Sequence, residues 1–207
     1  VLPARLSTGA LLPLLIVGDL VAVTWYRRHA VWRHLLRLFP WAVVGIVIGF
    51  FALGRIDDRL LRPVIGAVVI IMLGLGAWRD LATQGKAAVP TAWWFAALAG
   101  VLAGATTMLA NAAGPVMMLY LLAMRLPKDE FLGTGAWFFA AVNWVKVPFS
   151  VGLGLITAQT LVFDAVLSAG VLAGAALGIL AARRLPEKAF NIVMQVLTFG
   201  SAVMLFF

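Results

Sequence analysis

The sequence has no cysteine, only two histidines and few charged residues. Without cysteine the chain can form neither disulfides nor thiolate metal sites, and it has no thiol nucleophile. The histidines, His29 and His34, stand in one basic stretch and do not have the spacing of a metal site. No paired carboxylates suggest acid–base catalysis. We therefore expect no enzyme activity, no metal and no cofactor.

Charged residues make up 12% of the 207 residues, whereas 64% are hydrophobic. Soluble domains average about 25% charged and about 45–50% apolar residues. So few charges cannot cover a water-soluble surface, and several apolar runs approach the roughly 20 residues of a membrane-spanning helix. The alternating pattern of a transmembrane strand is absent. The composition predicts an all-α, polytopic transmembrane bundle embedded in lipid.

The chain contains 16 Lys and Arg against 8 Asp and Glu, a net charge of +8. Nearly all the basic residues stand in short clusters between apolar runs, where they orient helices in a membrane rather than bind nucleic acid. We expect a multi-pass protein of the inner (plasma) membrane without a nucleic-acid partner. Residues 25–37 mix basic and apolar side chains, which predicts a helix lying on the cytoplasmic membrane surface.

One apolar stretch, residues 90–124, is too long for a single crossing, because a helix of that length would span roughly 50 Å against a hydrocarbon core of about 30 Å. The sequence Asn111-Ala-Ala-Gly-Pro115 lies in its middle, and proline disfavours helix in the residue before it, here the helix-poor Gly114. We expect two helical arms that meet at a break, as a re-entrant hairpin. The predicted segments are 6–25, 38–54, 60–78, 90–110, 112–124, 131–156, 161–182 and 189–207.

The distribution of Lys and Arg supports the hairpin. If the stretch returns to its starting side, the cytoplasmic loops hold 11 basic residues and the outer loops 4. A single crossing instead gives 6 inside and 9 outside. The positive-inside rule favours the hairpin.

Two short motifs recur in the sequence. Thr8-Gly9-Ala10 reappears as Thr134-Gly135-Ala136, and Gly45-x-x-x-Gly49 reappears as Gly174-x-x-x-Gly178. With the hairpin in place, the two copies have opposite orientations in the membrane. Inverted repeats with broken helices are the architecture of secondary transporters.

The repeat divides one membrane domain into two halves, which we predict to cover residues 1–80 and 90–207. The second half starts with the broken hairpin, and the first half has no counterpart to it. We expect the biological protein to carry an N-terminal hairpin that this sequence lacks.

The break and two residues near it are the best candidates for a binding site. The arm after Gly114-Pro115 directs its N–H groups and positive dipole end at the break, which favours an anion; a packing kink is the alternative. Lys146 lies deep in an apolar run, with Asn143 one turn earlier on the same face. A lysine near the bilayer centre costs roughly 3 kcal/mol, so we expect both to face a cavity near the midplane, unless Lys146 snorkels to the surface.

Asp19 occupies nearly the place of Lys146 in the first repeat, and three roles remain open for it. It can pair with Lys146, bind a coupling proton, or lie near a helix end close to Arg27 and Arg28. Two threonines offer hydroxyls at matching positions, although threonine in membrane helices often bonds its own backbone. The predicted substrate-binding residues are Asn111, Gly114, Pro115, Asn143, Lys146, Thr134, Thr8 and Asp19.

The block Asn111-x-x-Gly-Pro115, followed by Asn143-x-x-Lys-x-Pro148, resembles the sulfite exporter TauE/SafE family, also called the four-toluene sulfonate uptake permease family. The resemblance implies two inverted repeats and transport of small anions, often sulfite, sulfonates or other sulfur-containing organic acids. We therefore expect a secondary transporter that works by alternating access, with a coupling proton or cation as a further partner. An anion channel and a carrier of a non-sulfur carboxylate are the alternatives.

Overall fold

The computed structural model describes residues 11–52 and 92–204, together with Gly9 and Ile70. The regular structure in these residues is α-helical throughout, which confirms the predicted class. The predicted segment 60–78 lies outside the described residues except for Ile70. The helices are α1 (Leu12–Tyr26), α2 (Trp32–Ala52), α3 (Trp93–Ala110), α4 (Ala113–Ala123), α5 (Lys128–Gly152), α6 (Ala158–Arg184) and α7 (Glu187–Met204).

Three of these helices, α2, α3 and α6, are long and apolar enough to cross a membrane. Two others, α1 and α4, are apolar but shorter. Aliphatic and aromatic side chains cover much of the outer surface, as is expected of a protein whose solvent is lipid rather than water. The chain is a helical membrane bundle.

The second helix starts earlier than the sequence predicts. Residues 32–37 belong to α2, so the prediction of a separate surface helix is wrong for them. Leu35 and Leu38 are both buried in the core, so one apolar face runs through this region into the membrane segment. Pro40 removes one helical hydrogen bond, but that buried face continues past it and the helix remains unbroken.

Helices α3 and α4 double back on each other. The ring of Phe95, near the start of α3, stacks on that of Tyr120, near the end of α4, with centroids 5.7 Å apart. The Tyr120 hydroxyl also lies 2.9 Å from Nδ1 of His34, near the start of α2. The chain therefore returns to the end of the bundle from which it set out, which is the hairpin predicted over 90–124.

Glycines bring α2 and α3 into close contact. A Cβ at Gly100 would lie 2.7 Å from the Leu38 carbonyl oxygen, and one at Gly49 would lie 2.8 Å from Cβ of Met108. A Cβ at Gly104 would collide with the carbonyl of Ala42. Small residues at four-residue spacing allow such an approach between membrane helices. The hairpin is thus held against α2 along most of α3.

Several connections meet at one end of the bundle, which we call the basic end and define by the segments 27–31, 124–127 and 185–186. Gly133 of α5 lies against the backbone of Tyr26 and His29. Lys128 Nζ donates to the carbonyls of Ala182 and Leu185, at 3.0 and 2.9 Å. At the opposite end Gly9 meets Leu155 of the chain after α5. Helices α1 and α5 therefore run antiparallel, as two inverted halves require.

The glycines of α6 differ from their counterparts in α2. Within the described part of the chain, a Cβ at Gly170, Gly174 or Gly178 would meet nothing within 4 Å. The α2 glycines of the recurring motif pack directly against α3, whereas no described residue packs against the glycines of α6.

Candidate functional site

The hairpin breaks at Asn111 and Ala112. Asn111 has a left-handed backbone with φ 52°, a conformation that asparagine tolerates better than most residues. Its N–H donates to the Thr107 carbonyl at 3.1 Å, and that of Ala112 donates to the Thr106 carbonyl at 3.2 Å. These bonds satisfy carbonyls at the end of α3 and fix the direction in which the chain leaves it.

Helix α4 begins at Ala113, so Gly114 and Pro115 belong to its first turn, whereas the sequence analysis places them in the break itself. Proline fits there because first-turn N–H groups have no partner within the helix. The residue before the helix, Ala112, provides no capping side chain. A Cβ at Gly114 would meet no atom of the described residues within 4 Å, so among these residues the positive end of α4 borders open space.

Lys146 of α5 reaches the break from the neighbouring helix. The residue is fully buried, with 0% of its surface exposed. Its Nζ donates to Oδ1 of Asn111 at 2.5 Å and to Oγ1 of Thr107 at 3.2 Å. Both acceptors are neutral oxygens, so neither of them compensates the charge of an ammonium. Snorkelling to the membrane surface is therefore excluded.

Asn143, one turn before Lys146, is also buried. Its Nδ2 donates to Oδ2 of Asp19 on α1 at 2.8 Å. The charges of Asp19 and Lys146 attract each other across this cluster. The carboxylate thus contacts the amide directly, while the lysine contacts the break.

Four predicted residues therefore converge on one place: Asn111, Asn143, Lys146 and Asp19. Lys146 stands 18 residues from the start of α5 and six from its end, or about 27 and 9 Å along the helix. Lys146 thus lies midway between the centre of α5 and the end opposite the basic end, and Asn143 lies closer to the centre. The sequence predicts a place near the midplane.

Thr134 lies elsewhere. It precedes Asn143 by nine residues, about two and a half helical turns, so the two face opposite sides of α5. Its hydroxyl accepts a hydrogen bond from the N–H of Val31 at 2.9 Å, near the basic end. The structure does not bring Thr134 to the cluster. Thr8 lies outside the described residues.

Two polar residues near the cluster were missed by sequence reasoning. Thr107 binds the lysine, and it could have been suspected because it lies one turn before the break. Ser150 follows Lys146 by one turn on the same face and is 0% exposed, yet its Oγ has no hydrogen-bond partner among the described residues. Serine is common in helices, so the sequence contains no signal that marks Ser150.

The model of the sulfite exporter TauE/SafE family matches residues 1–205 of this chain. The chain belongs to that family. No curated protein and no solved structure matches it. The transporter is thus a member of a family of membrane exporters of sulfur-containing anions rather than of enzymes, and its apolar helices agree with a multi-pass membrane location.

Proposed function

We propose that the chain is a secondary transporter that moves a small sulfur-containing anion, such as sulfite or a sulfonate, across the inner membrane by alternating access. The observation that supports this most directly is the contact of Lys146 with Asn111. A fully buried cation is bonded to neutral oxygens at a helix break, in a family of anion exporters. Such a group is costly without an anion and is stabilised by one.

The donors around Lys146 suit an oxyanion. The ammonium and the Asn143 amide supply N–H donors, and the first turn of α4 adds backbone N–H groups with the positive end of its dipole. Hydrogen bonds from charged donors to oxyanions are shorter and stronger than neutral ones. The space beside Gly114 provides room next to these donors.

Ser150 extends the donor set. Asn143, Lys146 and Ser150 lie at i, i+3 and i+7 on α5, which places them on one face. A buried hydroxyl without a partner costs about 1–3 kcal/mol. Oxygen atoms of the substrate can accept from that hydroxyl, so we include Ser150 in the site together with Thr107 and the predicted residues of the cluster.

The burial of Lys146 favours a carrier over the alternative of an anion channel. A channel needs a continuous path past its binding site, whereas this ammonium has no exposed surface. A carrier must alternate between two closed-off states and also allows coupling to a proton or cation. A carrier of a non-sulfur carboxylate would use the same site chemistry. Only the substrate that is transported distinguishes it from a carrier of sulfur-containing anions.

Counterflow in proteoliposomes tests this function. Vesicles loaded with unlabelled sulfite should concentrate labelled sulfite transiently from the outside, because a carrier exchanges one anion for another. Vesicles loaded instead with methanesulfonate or acetate show whether a sulfonate or a carboxylate can be exchanged for labelled sulfite. Equilibration without overshoot would indicate a channel, and exchange with acetate alone would indicate a carboxylate carrier.

A further inference from the structure

The pairing of Asp19 with Asn143 has a consequence for the anion. Asp19 stands in the middle of α1, seven residues from either end of the helix, about 10 Å along its axis. It is half-buried, and a carboxylate at such a depth is expensive when ionised. Its ionised form therefore depends on compensating groups nearby.

Among the residues that the structure describes, those groups come from one neighbouring helix. Helix α5 contributes the Asn143 amide, 2.8 Å from Oδ2, and the charge of Lys146. Helix α6, which also packs on α1, has no ionisable residue between Asp164 and Arg183. Within α1 itself the only other titratable side chain is Tyr26, at the end of the helix.

The proposed anion site uses the same two residues. An anion at Lys146 needs the Asn143 amide and the lysine charge, which already stabilise ionised Asp19. It is energetically unfavourable for the anion and the Asp19 carboxylate to share these donors, because like charges a few ångströms apart repel strongly in a low-dielectric interior. Either the anion dissociates or the carboxylate becomes neutral.

We propose that Asp19 is the proton-coupling residue of the transporter, taking up one proton each time an anion binds at Lys146. The proton comes from the water of the side to which the site is open, and it neutralises the carboxyl while the anion takes over the Asn143 donor. Anion and proton then move in the same direction. This inference rests on the proposed function, since it needs an anion at Lys146.

The coupling has a definite sign. When binding takes up a proton, binding strengthens as the pH falls, by about tenfold per pH unit wherever free Asp19 is ionised. Asp19→Asn keeps the shape of the side chain and removes the titration. We expect this variant to bind the anion at least as tightly as the wild type at neutral pH, with an affinity independent of pH.

The test is titration calorimetry of the purified protein in nanodiscs with methanesulfonate, which stays ionised around neutral pH. Titrations in two buffers of different ionisation heat report the protons taken up. We expect about one proton per anion for the wild type and none for Asp19→Asn. Asp164→Asn is the matched control, since it removes another buried carboxylate on α6, and it should behave as the wild type.

Each result decides a different question. Binding without proton uptake by the wild type overturns the coupling and leaves the proposed function standing, and this result does not depend on any variant folding. Uptake that persists in Asp19→Asn assigns the proton to another group, Lys146 first, and also overturns the inference. If neither methanesulfonate nor sulfite binds the wild type, the proposed function itself fails.

Discussion

At the residue scale, a substitution of Lys146 should weaken anion binding without preventing folding. Lys146→Met keeps most of the apolar stem and removes the charge. We expect sulfite affinity to fall more than tenfold, because a charge-assisted hydrogen bond contributes roughly 1.5–3 kcal/mol. The protein should remain folded, since an uncharged side chain is cheaper at this depth. Binding is measured in nanodiscs by calorimetry.

Lys128→Met provides the control for that variant. It also removes one positive charge from α5, but from the basic end, where Lys128 bonds the carbonyls of Ala182 and Leu185. Its sulfite affinity should stay near that of the wild type. Equal affinities of Lys146→Met and the wild type, both well folded, would show that the anion is held elsewhere.

Substitution of Ser150 should raise the stability of the unliganded protein and reduce the stabilisation by sulfite. Ser150→Ala removes a buried hydroxyl that has no partner, so the unliganded protein should unfold at a higher temperature. The same change removes one donor to the anion, so the added stability that sulfite confers should shrink. Thermal-shift curves with and without sulfite measure both effects. If the hydroxyl is irrelevant to the anion, the sulfite-dependent shift will not change.

A control for this variant exists on α6. The partly exposed Ser168 donates to the Ala165 carbonyl at 2.6 Å, so Ser168→Ala should alter neither the unliganded melting temperature nor the sulfite-dependent shift by much.

At this scale the sequence identifies which residues are unusual, but it does not identify their hydrogen-bond partners. A lysine in an apolar run and an Asn-x-x-Gly-Pro block are visible without a structure, because charge and helix breaking are local properties. The partners of Lys146 were not visible. The three roles open for Asp19 also needed coordinates, since hydrogen bonding to Asn143 depends on how α1 and α5 are aligned.

At the scale of helices, two glycines of the hairpin should respond in opposite ways to the same substitution. Gly114→Ala adds a methyl group where no atom of the described residues lies within 4 Å, and alanine favours helix over glycine by up to about 1 kcal/mol. We expect unchanged or higher stability together with weaker sulfite binding, because the methyl group enters the space beside the break. Melting temperature and sulfite affinity are the two measurements.

Gly104→Ala is the paired variant. Its methyl group would collide with the Ala42 carbonyl and force α2 and α3 apart, so the melting temperature should drop. A Gly114→Ala protein that binds sulfite normally would place the anion away from the start of α4.

The helices themselves were predictable where the apolar pattern was continuous. The break and the return of α4 followed from segment length and from the placement of Lys and Arg. The start of α2 was misplaced because basic residues before Pro40 suggested a surface helix. Burial of Leu35 and Leu38 against neighbouring helices decided otherwise, and tertiary contacts of this kind cannot be seen in a single segment.

At the scale of the whole molecule, the hairpin makes a definite prediction about sidedness. The segment 124–127 and the loop after Tyr26 should both be cytoplasmic, and the segment 153–157 should lie outside. The chain has no cysteine, so single cysteines report without background. His29→Cys and Asp129→Cys should react with an impermeant maleimide from the cytoplasmic side only, and Ala158→Cys from the outside only. Labelling of positions 129 and 158 from one side would contradict the inverted arrangement of the two halves.

The contact between Lys146 and Asn111 also bears on how the protein is made. The two residues are separated by 35 positions, so α3 and α4 leave the ribosome before the helix that carries the lysine. Until α5 enters the membrane, the polar groups of the break face lipid without the lysine. A lysine in lipid without the acceptors of the break is also energetically unfavourable. Hairpin and α5 should therefore enter the membrane together, and a nascent chain stopped after Pro127 should leave its hairpin open to protease.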